Sequence, residues 1–299
     1  MRTSILEREL RRALHDAGIR VSPWREGVDY FADLAHSDKA GIIGVVRSPR
    51  HEVLPTGYEG TVDFADTLAK EVKVLELLGD AGVPVPSVIA WQRRSTPQGV
   101  SWMLCEHIEH EPTAELDDDQ QRQLGGITRA IHSIQPATAV GRPQGSWQSY
   151  ARARITDRLH AAEKYCAHIP VETVLSRSAI VLSHAAGQAS ALLHLDLRPP
   201  NICVRNGQIE AVIDVANAIT GDPWLELARI RFCGLFTKAF QTGYGLSSAD
   251  VRRHDQLLNF YELDIAALLT TVAAEEIHDQ ELLKTSRDRL EQLCAQIVR

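Results

Sequence analysis

The stretch Leu193-His194-Leu195-Asp196-Leu197-Arg198-Pro199-Pro200-Asn201-Ile202-Cys203-Val204, with Ile209–Asp214 after it, concentrates the residues most able to do chemistry in this chain. It reads H-x-D-L-x-x-x-x-N, an apolar strand, a turn at Asn206-Gly207, a second apolar strand and a terminal Asp. A two-strand hairpin closed by Asn-Gly brings its ends together, so Asn201 and Asp214 are expected at one end. Asp196 sits in the loop just before the first strand, free to face a cleft. One carboxylate placed to take a hydroxyl proton, beside an amide oxygen and a hard anionic oxygen for a divalent cation, is the equipment of phosphoryl transfer. Catalysis there rests on positioning and charge.

The stretch resembles the catalytic and metal-binding loops of the eukaryotic-like kinase superfamily, and within it the aminoglycoside phosphotransferase family with its choline, homoserine and macrolide kinase relatives. The resemblance implies Asp196 as catalytic base, Asn201 and Asp214 as magnesium ligands, and His194 as a frame residue of the loop. It continues into Gly221-Asp222-Pro223-Trp224-Leu225-Glu226-Leu227-Ala228, which is similar to the family's G-D-P-x-x-D-L-A. Asp222 is expected to cap the helix that follows and brace the loop. Glu226 stands where the family has Asp. Arg198, two residues after the base, has two readings: a cation for the transferring phosphate, or a surface Arg bonded to Asp196.

For the nucleotide, the resemblance implies a basic residue on the third strand, braced by a Glu of the lobe's helix. Gly41–Arg47 is similar to that strand, with Arg47 in place of the usual Lys. Val45-Val46-Arg47-Ser48-Pro49-Arg50 resembles a branch that includes macrolide kinases, and an Arg fork can hold phosphates. Glu71 falls within the Leu68/Val72/Leu75/Leu78 face and is preferred to Glu76 as the brace. The phosphate loop is represented by Gly27 alone. Trp102–Ile108 is similar to the strand entering the hinge, so the backbone of Glu106, His107 and Ile108 is expected to read the purine edge of ATP or GTP.

Elements must place these groups. Ser4–Ala17 reads as a helix with a Ser4/Glu7 capping box. Tyr30–Ala35 and Gly41–Arg47 read as a hairpin, 48–62 as a loop, Asp66–Leu78 as a helix, and Val88–Gln92 and Val100–His107 as strands. After a polar connector at Glu109–Pro112, helices are expected at 117–134, 147–167, 173–189, 224–240, 248–274 and 276–298. The fold expected is α+β and bilobal, protein-kinase-like. A small N-terminal lobe (1–108) holds a five-stranded antiparallel sheet and one key helix; a larger, mostly helical C-terminal lobe (109–299) follows.

The bulk composition bounds the partners. An apolar fraction of 44% and a charged fraction of 24% are those of a globular protein. A net charge of −7 disfavours nonspecific nucleic-acid binding. No apolar run approaches a membrane span, and the charged N-terminus lacks a signal core. Five scattered cysteines argue against a disulfide framework or zinc, so a cytoplasmic enzyme is expected, as monomer or homodimer. Seven carboxylates lie between Arg253 and Lys284 with no Lys or Arg among them: Asp255, Glu262, Asp264, Glu275, Glu276, Asp279 and Glu281. They read either as a solvated helix face or as an attractor for a cationic acceptor. The function expected is therefore a Mg-NTP kinase of a hydroxylated small molecule, with an antibiotic acceptor in view. The alternatives are a metabolite kinase or a nucleotide-binding pseudokinase. Asp222 follows Asp214 by only eight positions, too short a span for the activation loop of a protein kinase.

Overall fold

The computed structural model describes residues 1–58, 60–94, 99–111, 115–135, 140–141, 145–167, 169–184 and 191–298. Pro112 of the expected connector and the last five residues of the helix expected at 173–189 lie outside the described residues.

The first half is a five-stranded antiparallel sheet with a helix on each face. Its strands are β1 (Ile19–Glu26), β2 (Tyr30–Ser37), β3 (Gly41–Pro49), β6 (Val88–Gln92) and β7 (Trp102–Cys105), in the order β1-β2-β3-β7-β6. Alternation along β3 divides the side chains: Val46 faces one side with Leu104, Ala35 and Trp102, and Val45 the other with Met103. Helix α1 (Arg2–Leu14) covers the first face with Leu6 and Leu10, and its Glu9 accepts the Trp102 indole N–H at 3.1 Å. Helix α2 (Phe64–Asp80) covers the second with Leu68, Val72, Leu75 and Leu78. Asp63 caps α2 through the N–H groups of Ala65 and Asp66.

Three local expectations change. Helix α1 starts at Arg2, Ser4 Oγ donates to the Met1 carbonyl, and Glu7 instead accepts the Val21 N–H at 3.0 Å. The Ser4/Glu7 pair is thus no capping box, and Glu7 pins β1 to α1. Strand β1 was not among the expected strands; it is the sheet edge and carries Pro23 beside a bulge, where proline costs no ladder bond. The segment expected as a loop at 48–62 holds a second hairpin, β4 (Val53–Thr56) with β5 (Gly60–Asp63).

The second half is helical around a small β insert. Helix α3 (Asp118–Ser133) starts on an Asp117/Gln120 capping box. It lies against α7 (Lys238–Tyr244) at backbone distance. A Cβ on Gly125 would stand 2.2 Å from the Phe240 carbonyl oxygen, and one on Gly243 1.9 Å from that of Arg122. Helices α4 (Trp147–Glu163), α5 (Val171–His184), α6 (Pro223–Phe232), α8 (Ser248–Arg253) and α10 (Gln280–Val298) surround α9 (Asp255–Val272). Two of the three long helices expected near the C-terminus, 224–240 and 248–274, are broken, and the third, expected at 276–298, begins at Gln280. Gly234, at φ 74°, separates α6 from α7; His254 separates α8 from α9; and a π turn at Ala273–Ile277, with His278 at φ 56°, ends α9 before Asp279 caps α10.

The acidic C-terminal stretch divides: Asp255, Glu275, Asp279 and Glu281 are exposed, as the solvated-face reading expects. Glu262 and Asp264 are buried: Glu262 pairs with Arg231 and Arg289, and Asp264 with Arg154 at 2.8 Å, Arg158 at 2.8 Å and Arg229 at 3.6 Å. Asp255 meets Arg231, Glu275 meets Lys164 and Tyr165, and Glu276 accepts the Tyr58 hydroxyl. The run is also less interrupted in apolarity than expected. Asp255–Ile277 is long and apolar enough to cross a bilayer, yet most of it is buried inside the protein as the central helix.

Burial alone would raise the Asp264 carboxyl, but Arg154, Arg158 and Arg229 hold it at about 2. A folded-state value below the unfolded one contributes stability above about pH 4, lost as pH falls toward 2. The difference corresponds to about 2 kcal/mol. Asp264→Asn leaves Arg158 buried without its counter-charge, a change that costs about 3–5 kcal/mol. Thermal denaturation at pH 7 is expected to show a melting point lower by on the order of 10 °C, with the deficit shrinking as both proteins approach pH 2.

Candidate functional site

The catalytic-loop candidate is clamped at both ends by a short sheet. Strand β8 (Ala191–Leu193) pairs with β11 (Ile219–Gly221), and the chain between them forms a 3-10 turn at Pro199–Asn201 and the hairpin β9 (Ile202–Arg205) and β10 (Gln208–Val212). Asn206 at φ 51° and Gly207 at φ 77° make the tight turn their residue types predict. The Ile213 N–H donates to the Asn201 carbonyl at 3.0 Å, so the hairpin's two ends are tied where Asn201 and Asp214 stand.

The loop backbone has its own anchor. Glu226, fully buried on α6, accepts the His194 N–H at 3.0 Å and the Leu195 N–H at 2.7 Å, and its carboxylate also meets His132 at 2.8 Å. Burial would raise its carboxyl, but the His132 contact and the loop N–H donors bring it below the ordinary range. His132 is fixed on its other nitrogen by the Tyr244 hydroxyl. Leu195, held in the left-handed region at φ 62°, turns the chain so that its own side chain is buried while Asp196 faces outward. His194 is buried, and its Nδ1 accepts the Asp196 N–H at 3.2 Å. Asp222 caps α6 through the Trp224 N–H at 3.0 Å and accepts the Tyr261 hydroxyl at 2.9 Å. Trp147 donates to that same hydroxyl, which makes it a core residue.

Around the carboxylate of Asp196 the groups converge. Asn201 Nδ2 donates to Asp196 Oδ2 at 2.5 Å and to its carbonyl at 2.9 Å; Arg198 Nε donates to both carboxylate oxygens at 3.2 Å. Arg198 therefore takes the pairing with Asp196 that was one of its two readings. From β3, Arg47 reaches Glu71 Oε1 at 2.5 Å and Asp214 Oδ1 at 3.0 Å, with its guanidinium carbon 4.7 Å from the centre of the Tyr30 ring. Burial would strip the charge from Arg47, but Asp214 and Glu71 hold it protonated. Burial raises Glu71 to about 7 against the pull of Arg47, whereas Asp214, also opposed by burial, is held low by Arg47.

These groups share a cleft of about 680 Å³ between the sheet and the helices. Asp196, Arg198, Asn201, Asp214, Arg47, Glu71, Gly27, Glu106 and Ile108 line it; His194, Asp222 and His107 do not. Gly27 lies in the β1–β2 turn, its N–H bonded to the Tyr30 carbonyl. His107 meets Trp24 edge-on at 5.5 Å, joining that turn to the hinge. The side chain of Glu106 accepts from the Ser87 N–H and hydroxyl, and its own N–H donates to the Ser87 carbonyl. The sequence noted Glu226 only as a departure, and its role as loop anchor was missed although its place in the motif marked it. Tyr30 and the wall formed by α9 and the π turn carried no sequence signal beyond apolarity.

Comparison with known proteins gives the family and the fold. A family model described as "phosphotransferase enzyme family" matches residues 58–258. A curated mouse protein, acyl-CoA dehydrogenase family member 10, is 23% identical over 211 residues, 63% of this chain; the chain spans 19% of that protein's length. Among solved structures, a protein assigned as a fructosamine-3-kinase from Haemophilus somnus 129PT superposes with a TM-score of 0.69 at 16% identity, covering 96% of each chain. Aminoglycoside phosphotransferase APH(2″)-IIa, in complex with streptomycin and ATP, gives 0.66 at 14% identity over 98% of this chain and 97% of its own. A GDP-bound aminoglycoside 2′-phosphotransferase IIIa mutant gives 0.68 at 17% identity over 98% of both. The fold is thus the two-lobed one of these kinases. With about two thirds of its length matched by the family model, the chain belongs to the APH phosphotransferase enzyme family.

Proposed function

We propose that this chain transfers the γ-phosphoryl group of a magnesium-bound nucleoside triphosphate to a hydroxyl of a small molecule, with Asp196 as the base. The observation that carries the reading is the convergence of Asp196, Asn201 and Asp214 in one cleft with the Arg47–Glu71 pair. ATP and GDP occupy the APH(2″)-IIa and 2′-IIIa structures of the same fold, which supports a nucleotide co-substrate here.

The donor set suits magnesium. Asn201 turns its NH2 toward Asp196, which directs its amide oxygen elsewhere, and Asp214 offers a carboxylate kept ionised by Arg47. Among the described residues there is no cluster of three or more His, Cys, Asp and Glu side chains, the set a transition-metal cage needs. Bound between Asn201, Asp214 and the phosphates, the ion would neutralise charge on the transferring group. Arg47 orients Asp214 and is placed for the α- and β-phosphates, where its fork replaces the usual ammonium. Asp196, fixed by Asn201, takes the acceptor hydroxyl proton. Arg198 shields that carboxylate and is placed to move to the phosphoryl oxygens once an acceptor hydroxyl replaces it.

The antibiotic version of this reading leaned on the C-terminal carboxylates as a cation attractor. Of the seven, only Glu276 lines the cleft, where it accepts the Tyr58 hydroxyl, so a cationic acceptor draws little support from them. A metabolite alcohol is equally compatible with the site, and a resistance assay in a susceptible host separates the two.

Asp196→Asn is expected to lower kcat by about 10³-fold with MgATP or MgGTP while nucleotide affinity holds; unchanged turnover removes the base assignment. Arg47→Lys places one point charge where a fork now bridges two carboxylates. The Michaelis constant for nucleotide is expected to rise about tenfold, and an equal or lower value would detach Arg47 from the phosphates.

A further inference from the structure

The cleft has a sequence of surroundings that orders its contents. The hinge side, with Met103, Glu106 and Ile108, suits a purine; Arg47, Asp214 and Asp196 mark the phosphoryl centre; the β1–β2 turn closes one side with Asp29 and with Glu26, which pairs with Arg50; and a further wall comes from the end of α9, the π turn and the start of α10. That wall presents Ile265, Leu268, Leu269, Val272, Ile277 and Leu282 to the same space as Asp196. Ile265 is buried, Leu268, Leu269, Val272 and Leu282 are half-buried, and Ile277 is 44% exposed. The wall's one carboxylate in the cleft, Glu276, accepts the Tyr58 hydroxyl at 2.5 Å across from the β4–β5 hairpin. Arg229, also in the cleft, is paired with the buried Asp264.

An acceptor with several ammonium groups needs several carboxylates to replace its water, and loses affinity where it meets aliphatic carbon instead. Aliphatic side chains left half-open beside a catalytic carboxylate gain when the molecule in front of Asp196 covers them. We propose that the acceptor is an alcohol with an apolar face of several carbon atoms, packed on Leu268, Leu269, Val272 and Ile277. It is not a polycation, and its hydroxyl is the part that reaches Asp196. The inference rests on the phosphotransferase reading only for which end of the cleft holds the acceptor.

The test uses the full chain saturated with MgADP and measures binding by calorimetry of methyl β-D-glucoside, n-hexyl β-D-glucoside and streptomycin. The two glucosides share their ring hydroxyls and differ in apolar length. The hexyl compound is expected to bind at least tenfold tighter than the methyl compound and tighter than streptomycin. Equal binding of the two glucosides, tighter binding of streptomycin, or binding of none of the three at millimolar concentration overturns the proposal. Leu269→Ala is expected to cut the hexyl-to-methyl ratio at least threefold with MgADP affinity unchanged. Ile277→Ser, at a more exposed position, gives the same reading should the first variant fail to fold; a ratio unchanged in both also overturns it. MgATP turnover, followed separately in wild type and in Asp196→Asn, tests the catalytic reading. A preserved apolar preference without turnover removes that reading alone and leaves the apolar wall assigned.

Discussion

The site depends first on a buried carboxylate that does no chemistry. Strand β8 ends at Leu193, and the next two backbone N–H groups point into the protein, where no strand pairs with them. Unpaired, each would cost on the order of 1–3 kcal/mol. Glu226 takes both, and its charge is sustained by His132 and by the donors themselves. A neutral acceptor would satisfy the geometry less firmly, because charge-assisted bonds are the stronger ones. With that anchor in place Leu195 can hold a left-handed backbone that a leucine does not choose, and that turn aims Asp196 at the cleft. The longer side chain at 226, relative to the family's Asp, is accommodated because it reaches His132 on α3 as well as the loop.

A second constraint joins the two halves of the molecule. Arg47 belongs to the sheet, Glu71 to α2 and Asp214 to the end of the β9–β10 hairpin. One planar fork holds a carboxylate from each half. Burial opposes all three charges; the contact between cation and anions keeps Arg47 and Asp214 charged, while at Glu71 burial outweighs Arg47 and the carboxyl is raised to about 7. Removing any one leaves the others in a poorly solvated place, so lobe alignment and the ionisation of Asp214 are coupled. A lysine, with a single ammonium, matches one of those carboxylates better than it bridges both, which gives a physical reason for arginine at 47.

Much of the site was legible because its chemistry is local in sequence. Asp196, Asn201 and Asp214 are joined by one hairpin, and Asn206-Gly207 announces that hairpin by residue type. Glu71 could be chosen over Glu76 because helical periodicity places it on the buried face. What failed to show were features decided by distant partners. Edge strand β1 carries Pro23, and β4 carries Pro55, residues that read as loops until the sheet order shows they sit where no ladder bond is lost. The Ser4/Glu7 pair has the spacing of a cap, but Val21 claims Glu7. The helix expected at 248–274 breaks at His254, whose residue type gives no signal of a stop.

The charge pattern shows most plainly where one-dimensional reading runs out. A run of acids without bases looks like an exposed field, yet the arginines that neutralise it come from elsewhere: Arg154 and Arg158 on α4, Arg229 and Arg231 on α6, Arg289 on α10. Helix α9 buries Glu262 and Asp264 to bind those elements together, and it can do so because α4, α6 and α10 each bring a guanidinium. The apolar residues of the same helix then divide between core and cleft, with Leu258, Leu263 and Ala266 fully buried and Leu268, Leu269 and Val272 bordering the space beside Asp196. One element thus supplies both the internal charge lattice of the C-terminal half and part of the cleft wall: at 100° per residue Leu268 and Val272 follow Asp264 on one side of the helix and Leu269 follows Glu262, so the two buried acids flank the residues that border the cleft.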